Sequence, residues 1–177
     1  GVAPNPADAL AAMLGLLHDA AGRLAVPGFY DDVRPLSEGD HAAFAALPLA
    51  EDAYLAETGS PMLHGEPDFS TLERKGGRPT LEINGIWGGF QGDGSKTIIP
   101  AHAHAKLTCR LVADQRPDTT YAKVRDFIRS IAPPTVRVEL TYFGGGLPSL
   151  TPIEHPATQA AARAIEATFG VAPLYIR

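Results

Sequence analysis

The chain has 177 residues, 45% of them hydrophobic and 20% charged, with a net charge of −5 at neutral pH, which is the balance of an ordinary soluble domain. Its 15 Lys and Arg are scattered rather than gathered into a stripe, which excludes an electrostatic footprint for nucleic acid. No stretch reaches the roughly 18 to 20 continuous apolar residues of a membrane span. Cys109 is the only cysteine, so neither an internal disulfide nor a Cys-x-x-Cys zinc site is possible, and a reducing cytoplasm is the expected location.

A first helix is signalled by Asn5 as cap, Pro6 at the first position, Asp8 at the positive end and an apolar face of Leu10, Met13, Leu14 and Leu17, with Gly22 as its expected end. Residues 26–78 are rich in Pro and Gly and read as an irregular connecting arm with two short helical pieces, near 37–47 (capped by Ser37) and 48–57. Three strands are then expected from period-two alternation: Leu81 and Ile83; Ala103, Ala105, Leu107, Cys109 and Leu111; and Val136, Val138, Leu140 and Tyr142. Their opposite faces are polar, so the sheet should be covered on one side only. Between the last two, Asp118 is expected to open a helix whose Tyr121, Val124, Phe127, Ile128 and Ile131 recur at helical spacing before Pro133-Pro134 stops it. An Ala-rich helix follows over 156–169, with Gly170 as terminator.

This order predicts an α+β fold, a split βαβ (ferredoxin-like) two-layer sandwich with an antiparallel sheet, helices on one face, and the opening strand missing, expected immediately before Gly1. Gly1-Val2-Ala3 has no initiator Met and Tyr175-Ile176-Arg177 ends in an apolar stretch, as a piece of a longer protein would.

The run Gly89–Thr97 hints at a phosphate loop. Ser95 separates Gly94 from Lys96, however, and Ile98-Ile99-Pro100 follows where a helix would be needed, so nucleotide binding is not expected. Gly144-Gly145-Gly146 lacks the Gly-x-x-Gly continuation of a dinucleotide fingerprint. His102 and His104, two apart on one strand, have a permissible ligand spacing, but no carboxylate stands near them in sequence and no native metal site is assigned. His18, His41, His64 and His155 read as isolated surface or capping residues. Cys109 falls on the apolar strand face and reads as an inert thiol. No catalytic constellation is contained in the chain. Arg110, on the polar face of its strand, presents a planar fork suited to a carboxylate, although a surface ion pair is the ordinary alternative.

The segments Arg78-Pro79-Thr80-Leu81-Glu82-Ile83-Asn84-Gly85-Ile86-Trp87-Gly88-Gly89, Gly94-Ser95-Lys96-Thr97-Ile98-Ile99-Pro100 and Cys109-Arg110-Leu111-Val112 resemble, in that order, the metallopeptidase family of carnosinase and cytosolic nonspecific dipeptidase. Ala3-Pro4-Asn5-Pro6, Val26-Pro27-Gly28-Phe29-Tyr30-Asp31 and Phe169-Gly170-Val171-Ala172-Pro173 agree with the same family. The resemblance implies a lid or dimerisation domain over 1–150 and, over 151–177, a return segment and helix belonging to the catalytic domain of the intact enzyme. It implies a homodimer acting on peptides or acyl-amino acids, with two zinc ions, their ligands and the general base all outside this chain. It assigns Arg110 to the substrate's terminal carboxylate, and Thr97 to substrate binding. The chain alone is expected to bind no catalytic metal and to be inactive. The competing expectation is a stand-alone module holding a small acidic ligand through Arg110, Lys106 and the two histidines.

Overall fold

A computed structural model describes residues 1–177. Six helices and one hairpin-like pair of strands run in the order α1 (Pro6–Gly15), α2 (Glu38–Ala46), α3 (Glu51–Thr58), α4 (Thr71–Gly77), β1 (Thr80–Gly88), β2 (Ala103–Arg110), α5 (Pro117–Ile131) and α6 (Pro156–Phe169). The fold is mixed α+β.

The helix ends follow local chemistry. The Asn5 side chain accepts from the Ala7 amide at 3.0 Å, with Pro6 at the first helical position. Ser37 and Ser70 form reciprocal capping boxes with Asp40 and Glu73. The α6 cap is His155, whose Nδ1 accepts from the Ala157 amide at 3.2 Å, and Gly170 closes that helix in the left-handed conformation expected of it.

Three expectations about the helices need correction. Helix α1 stops at Gly15, not Gly22, because residues 16–24 turn back on themselves: Leu16 bonds to Met13 and Leu14, and His18 pairs with Leu24 in an isolated bridge. The arm contains three helices, α4 among them unforeseen. Helix α5 begins at Pro117 with Arg116 as an uncapped N-cap; the Asp118 carboxylate instead accepts from the Tyr142 hydroxyl at 3.1 Å.

β1 and β2 pair antiparallel, Thr80 opposite Arg110 and Gly88 opposite Ala103. A bulge at Asn84 breaks the register between Ile83 and Gly85, so that both Asn84 and Gly85 intervene where one residue would fit. Up to Ile83 the even residues share the face of Thr108 and Arg110, but after the bulge it is Trp87, opposite His104, that lies there. Gly88 is required by close approach: a Cβ would stand 3.0 Å from both Ala103 Cα and the His102 carbonyl oxygen.

The third strand expected over 136–142 forms no ladder, and the sheet has two strands. The segment is held by side chains: Val138 and Leu140 pack on the core, and Tyr142 stacks on Tyr121 at 4.4 Å. Alternating apolar residues suffice to seat it, but a strand also needs a neighbour to exchange backbone bonds with.

The core lies between α1, the 24–29 turn, α5 and one sheet face, centred on Leu17, Phe29 and Leu81, with Val124 and Ile128 supplied by α5. Buried Gln115 ties the layers together, receiving the Val112 amide at 3.1 Å and donating to the Phe29 carbonyl at 2.9 Å. The arm is anchored to the start of β1 by Arg78, whose guanidinium forks onto Glu66 and lies over the rings of Phe69 (4.3 Å) and Tyr30 (5.0 Å).

The chain exposes 11927 Å², whereas a compact monomer of its mass exposes about 8,300 Å². Exposed apolar side chains account for part of the difference, including Phe143, Leu147, Phe169, Val171, Leu174 and Ile176 towards the end of the chain. No helix is long and apolar enough to cross a membrane.

Candidate functional site

The uncovered face of the sheet carries Thr80, Glu82, Gly85 and Trp87 from β1 against Arg110, Thr108, Lys106 and His104 from β2. Alternation along β2 puts Ala103, Ala105, Leu107 and Cys109 half-buried against the helices and leaves the four polar residues exposed. The period-two reading thus holds from Ala103 to Arg110, while Leu111, expected as its last apolar residue, lies just beyond the strand.

Arg110 is the last residue of β2, opposite Thr80. The chain's ion pairs engage Arg23, Arg34, Arg78, Lys123, Arg125, Arg137 and Arg177, but not Arg110. Its guanidinium is an exposed fork with no carboxylate partner. Glu82, the nearest acid in register on the same face, stands opposite Thr108 and is not paired to it. That leaves a charged group positioned by a rigid strand and open to an anion.

Thr97 lies before the other end of β2, in an exposed loop between Gly89 and Pro100. Gly89 and Gly94 take positive φ there, Lys96 sits 4.8 Å over the Phe90 ring, and Ile98 donates to the Lys96 carbonyl at 3.0 Å. The loop leads into a strand and not a helix, so it offers no helix N-terminus to a phosphate. The structure does not bring Thr97 and Arg110 together along one strand: all of β2, about 25 Å of extended chain, intervenes.

At the Thr97 end, Trp87 stacks on His104 with ring centroids 5.0 Å apart and planes 12° from parallel, Lys106 stands 5.7 Å over the indole, and the His102 ring is 6.2 Å from that of His104. Sequence reasoning found the histidine pair but missed Trp87, because the bulge that turns it onto this face shifts the alternation. The Asn84-Gly85 step was the available signal.

Cys109, on the covered face, is a poor nucleophile: burial pushes its thiol up to about 11. The polar recess under the arm, lined by His18, His64, Glu66, Arg74, Arg78 and Glu82, encloses about 220 Å³. Tyr30 borders it, its hydroxyl raised to about 12 by burial and by its hydrogen bond with Glu66. With Arg78 closed onto Glu66, the recess is a structural joint. No group of three or more His, Cys, Asp or Glu side chains gathers to hold a metal.

Residues 1–136 match the family model described as the peptidase dimerisation domain. The chain is 30% identical over 182 residues to the Beta-Ala-His dipeptidase of Homo sapiens, covering 100% of this chain and 36% of that protein. It is 28% identical to the Cys-Gly metallodipeptidase DUG1 of Candida albicans, covering 100% and 37%. Among solved structures, it matches an M20 family metallo-carboxypeptidase from Sulfolobus solfataricus with a TM-score of 0.82 at 26% identity, covering 99% of this chain and 39% of that one. Human carnosine dipeptidase 1 matches with a TM-score of 0.80 at 29% identity, covering 100% and 38%. The chain therefore spans little more than a third of the length of these relatives.

Proposed function

The chain belongs to the M20 peptidase dimerisation domain family, and from that premise we propose that it is the lid and dimerisation part of a metal-dependent dipeptidase or amidohydrolase, holding the substrate's terminal carboxylate through Arg110. Residues 1–150 form the lid in this reading, and 151–177 return to the catalytic domain of the whole protein. That domain would supply two zinc ions and the hydrolytic groups, since no cluster of ligands gathers here. This chain's part is positional: a fixed guanidinium orients the substrate so that the reacting bond is presented in one geometry. Thr97, far along β2 from Arg110, would contact substrate at a different point from the carboxylate.

The observation that carries the dimerisation reading is the match of residues 1–136 to the peptidase dimerisation domain. An excess of roughly 3,600 Å² over a compact monomer leaves surface for both a catalytic domain, on the side of Phe169, Val171, Leu174 and Ile176, and a second copy. The unpaired outer edge of β2 and the unladdered 136–142 segment add free backbone groups that a neighbouring strand would satisfy. The split βαβ sandwich belongs to the same proposal, a further strand beside 136–142 completing the sheet. The lone half-buried Cys109 suits a reducing cytoplasm.

Light scattering on the purified chain tests the reading. A particle of twice the 18.7 kDa mass with no dipeptide hydrolysis is expected. A chain that stays monomeric at several hundred micromolar would remove the dimerisation role. For the carboxylate site, NMR should show the Arg110 Nε–H moving with an N-acetyl amino acid and not with its amide; equal shifts would remove Arg110 from substrate binding.

A further inference from the structure

We propose that His102 and His104 form a two-point chelate for a borderline divalent cation, Cu²⁺, Ni²⁺ or Zn²⁺, on the open sheet face beside Trp87. The inference does not depend on the reading of Arg110 and uses other residues. His104 lies in β2 and His102 one residue before its start, and their ring centroids are 6.2 Å apart with planes inclined by 37°. Rings sharing one metal at about 2.1 Å from each nitrogen stand roughly 5 Å apart at a tetrahedral angle. A side-chain adjustment of about 1 Å closes that gap.

The backbone under His104 is fixed by the ladder, which runs through Trp87–His104 and Gly88–Ala103, and His102 follows directly beyond its last pair. Stacking on Trp87 occupies one face of the His104 ring and fixes its plane. The ring nitrogens lie in that plane and stay available as donors. The exposed setting leaves the remaining coordination positions to water.

The class of cation follows from the donor set. Neutral nitrogens favour borderline metals over Mg²⁺ or Ca²⁺, which need oxygen ligands. No carboxylate faces the pair: Glu82 is opposite Thr108, four residues along β2 from His104. Lys106 stands on the same face, 5.7 Å over the indole, and its charge opposes cation binding. The expected affinity order is therefore the nitrogen-ligand series with Cu²⁺ strongest.

Trp87 is the only tryptophan, so its fluorescence reports this site alone. Titrating the full 177-residue chain with CuSO₄ or NiCl₂ should give saturable quenching with one-to-one stoichiometry, reversed by EDTA. His102→Gln and His104→Gln, both on exposed side chains, should each weaken the midpoint at least tenfold, with the circular dichroism spectrum unchanged. His64→Gln, in the recess under the arm, should leave the midpoint within twofold. Quenching that is linear in metal, or that keeps its midpoint in the His102→Gln/His104→Gln double variant, overturns the proposal. So does quenching abolished by His64→Gln.

Discussion

Replacing Arg78 by Met tests how the arm is tied to the sheet. Arg78 donates through Nε and Nη2 to the two oxygens of Glu66, and both side chains are largely withdrawn from water. Two aromatic rings cover the guanidinium. The substitution leaves a buried carboxylate without its partner, which costs about 3–5 kcal/mol, whereas replacing a buried pair by two apolar side chains is commonly near neutral. For a chain of this length each kcal/mol lowers Tm by about 2–4 °C, so Arg78→Met should lower it by roughly 6–20 °C. Arg78→Met combined with Glu66→Leu should recover to within about 2 kcal/mol of the parent chain. Urea unfolding followed by circular dichroism gives all four corners of the cycle, with a constant m-value as the check that the same surface unfolds. A single variant that costs less than about 1 kcal/mol, or a double variant as unstable as the two singles added, would refute the claim that a desolvated charge pair holds the arm.

Phe29→Ala should cost about 3–5 kcal/mol in the same assay, because the ring is 1% exposed at the centre of the core and its removal leaves a cavity. Glu73→Gln should cost about 1–2 kcal/mol near neutral pH through its capping box and its pairing with His41. Burial raises the Glu73 carboxyl, but the bonds from His41 and Ser70 outweigh it and hold the group below its ordinary value. Its stabilisation is therefore present above the ordinary glutamate range and lost as the pH falls through the lowered folded-state value, so the parent and Glu73→Gln stability curves should converge on acidification. Cys109, with its thiol raised to about 11, should react with iodoacetamide at pH 8 on the order of a hundredfold more slowly in the folded chain than in urea, where the ordinary thiol value returns. Equal rates, read by mass spectrometry, would show that the covered sheet face opens freely.

The features legible in the sequence were those decided within a few residues. Asn5, Ser37 and Gly170 mark helix ends because each acts on the nearest turn of backbone. The alternation of β2 was readable because one face is covered and the other is not. The strand over 136–142 was misread because its side-chain pattern is satisfied by packing while its backbone pairing depends on a neighbour, which alternation cannot reveal. Helix α4 was missed because seven residues containing two adjacent glycines carry little helical periodicity, and it is the Ser70–Glu73 capping box that starts them. Arg116 was passed over as a helix boundary in favour of Asp118, whose carboxylate is drawn away by a tyrosine 24 residues distant. At the candidate site, the exposed face of Arg110 was readable from alternation, whereas its lack of an ion-pair partner is a three-dimensional fact.

Asn84 works as a phase shifter. It adds one residue to β1 without lengthening β2, and everything downstream in β1 changes sides: Trp87 comes onto the open face beside His104, and Ile86 goes to the side of Ala105. Deleting this residue would remove the bulge and leave Trp87 opposite His104, whereas pairing it into the ladder opposite Lys106 would bring Ile86, in place of the indole, onto the open surface. What this end of the sheet presents to solvent is thus set by whether one residue is paired or bulged out.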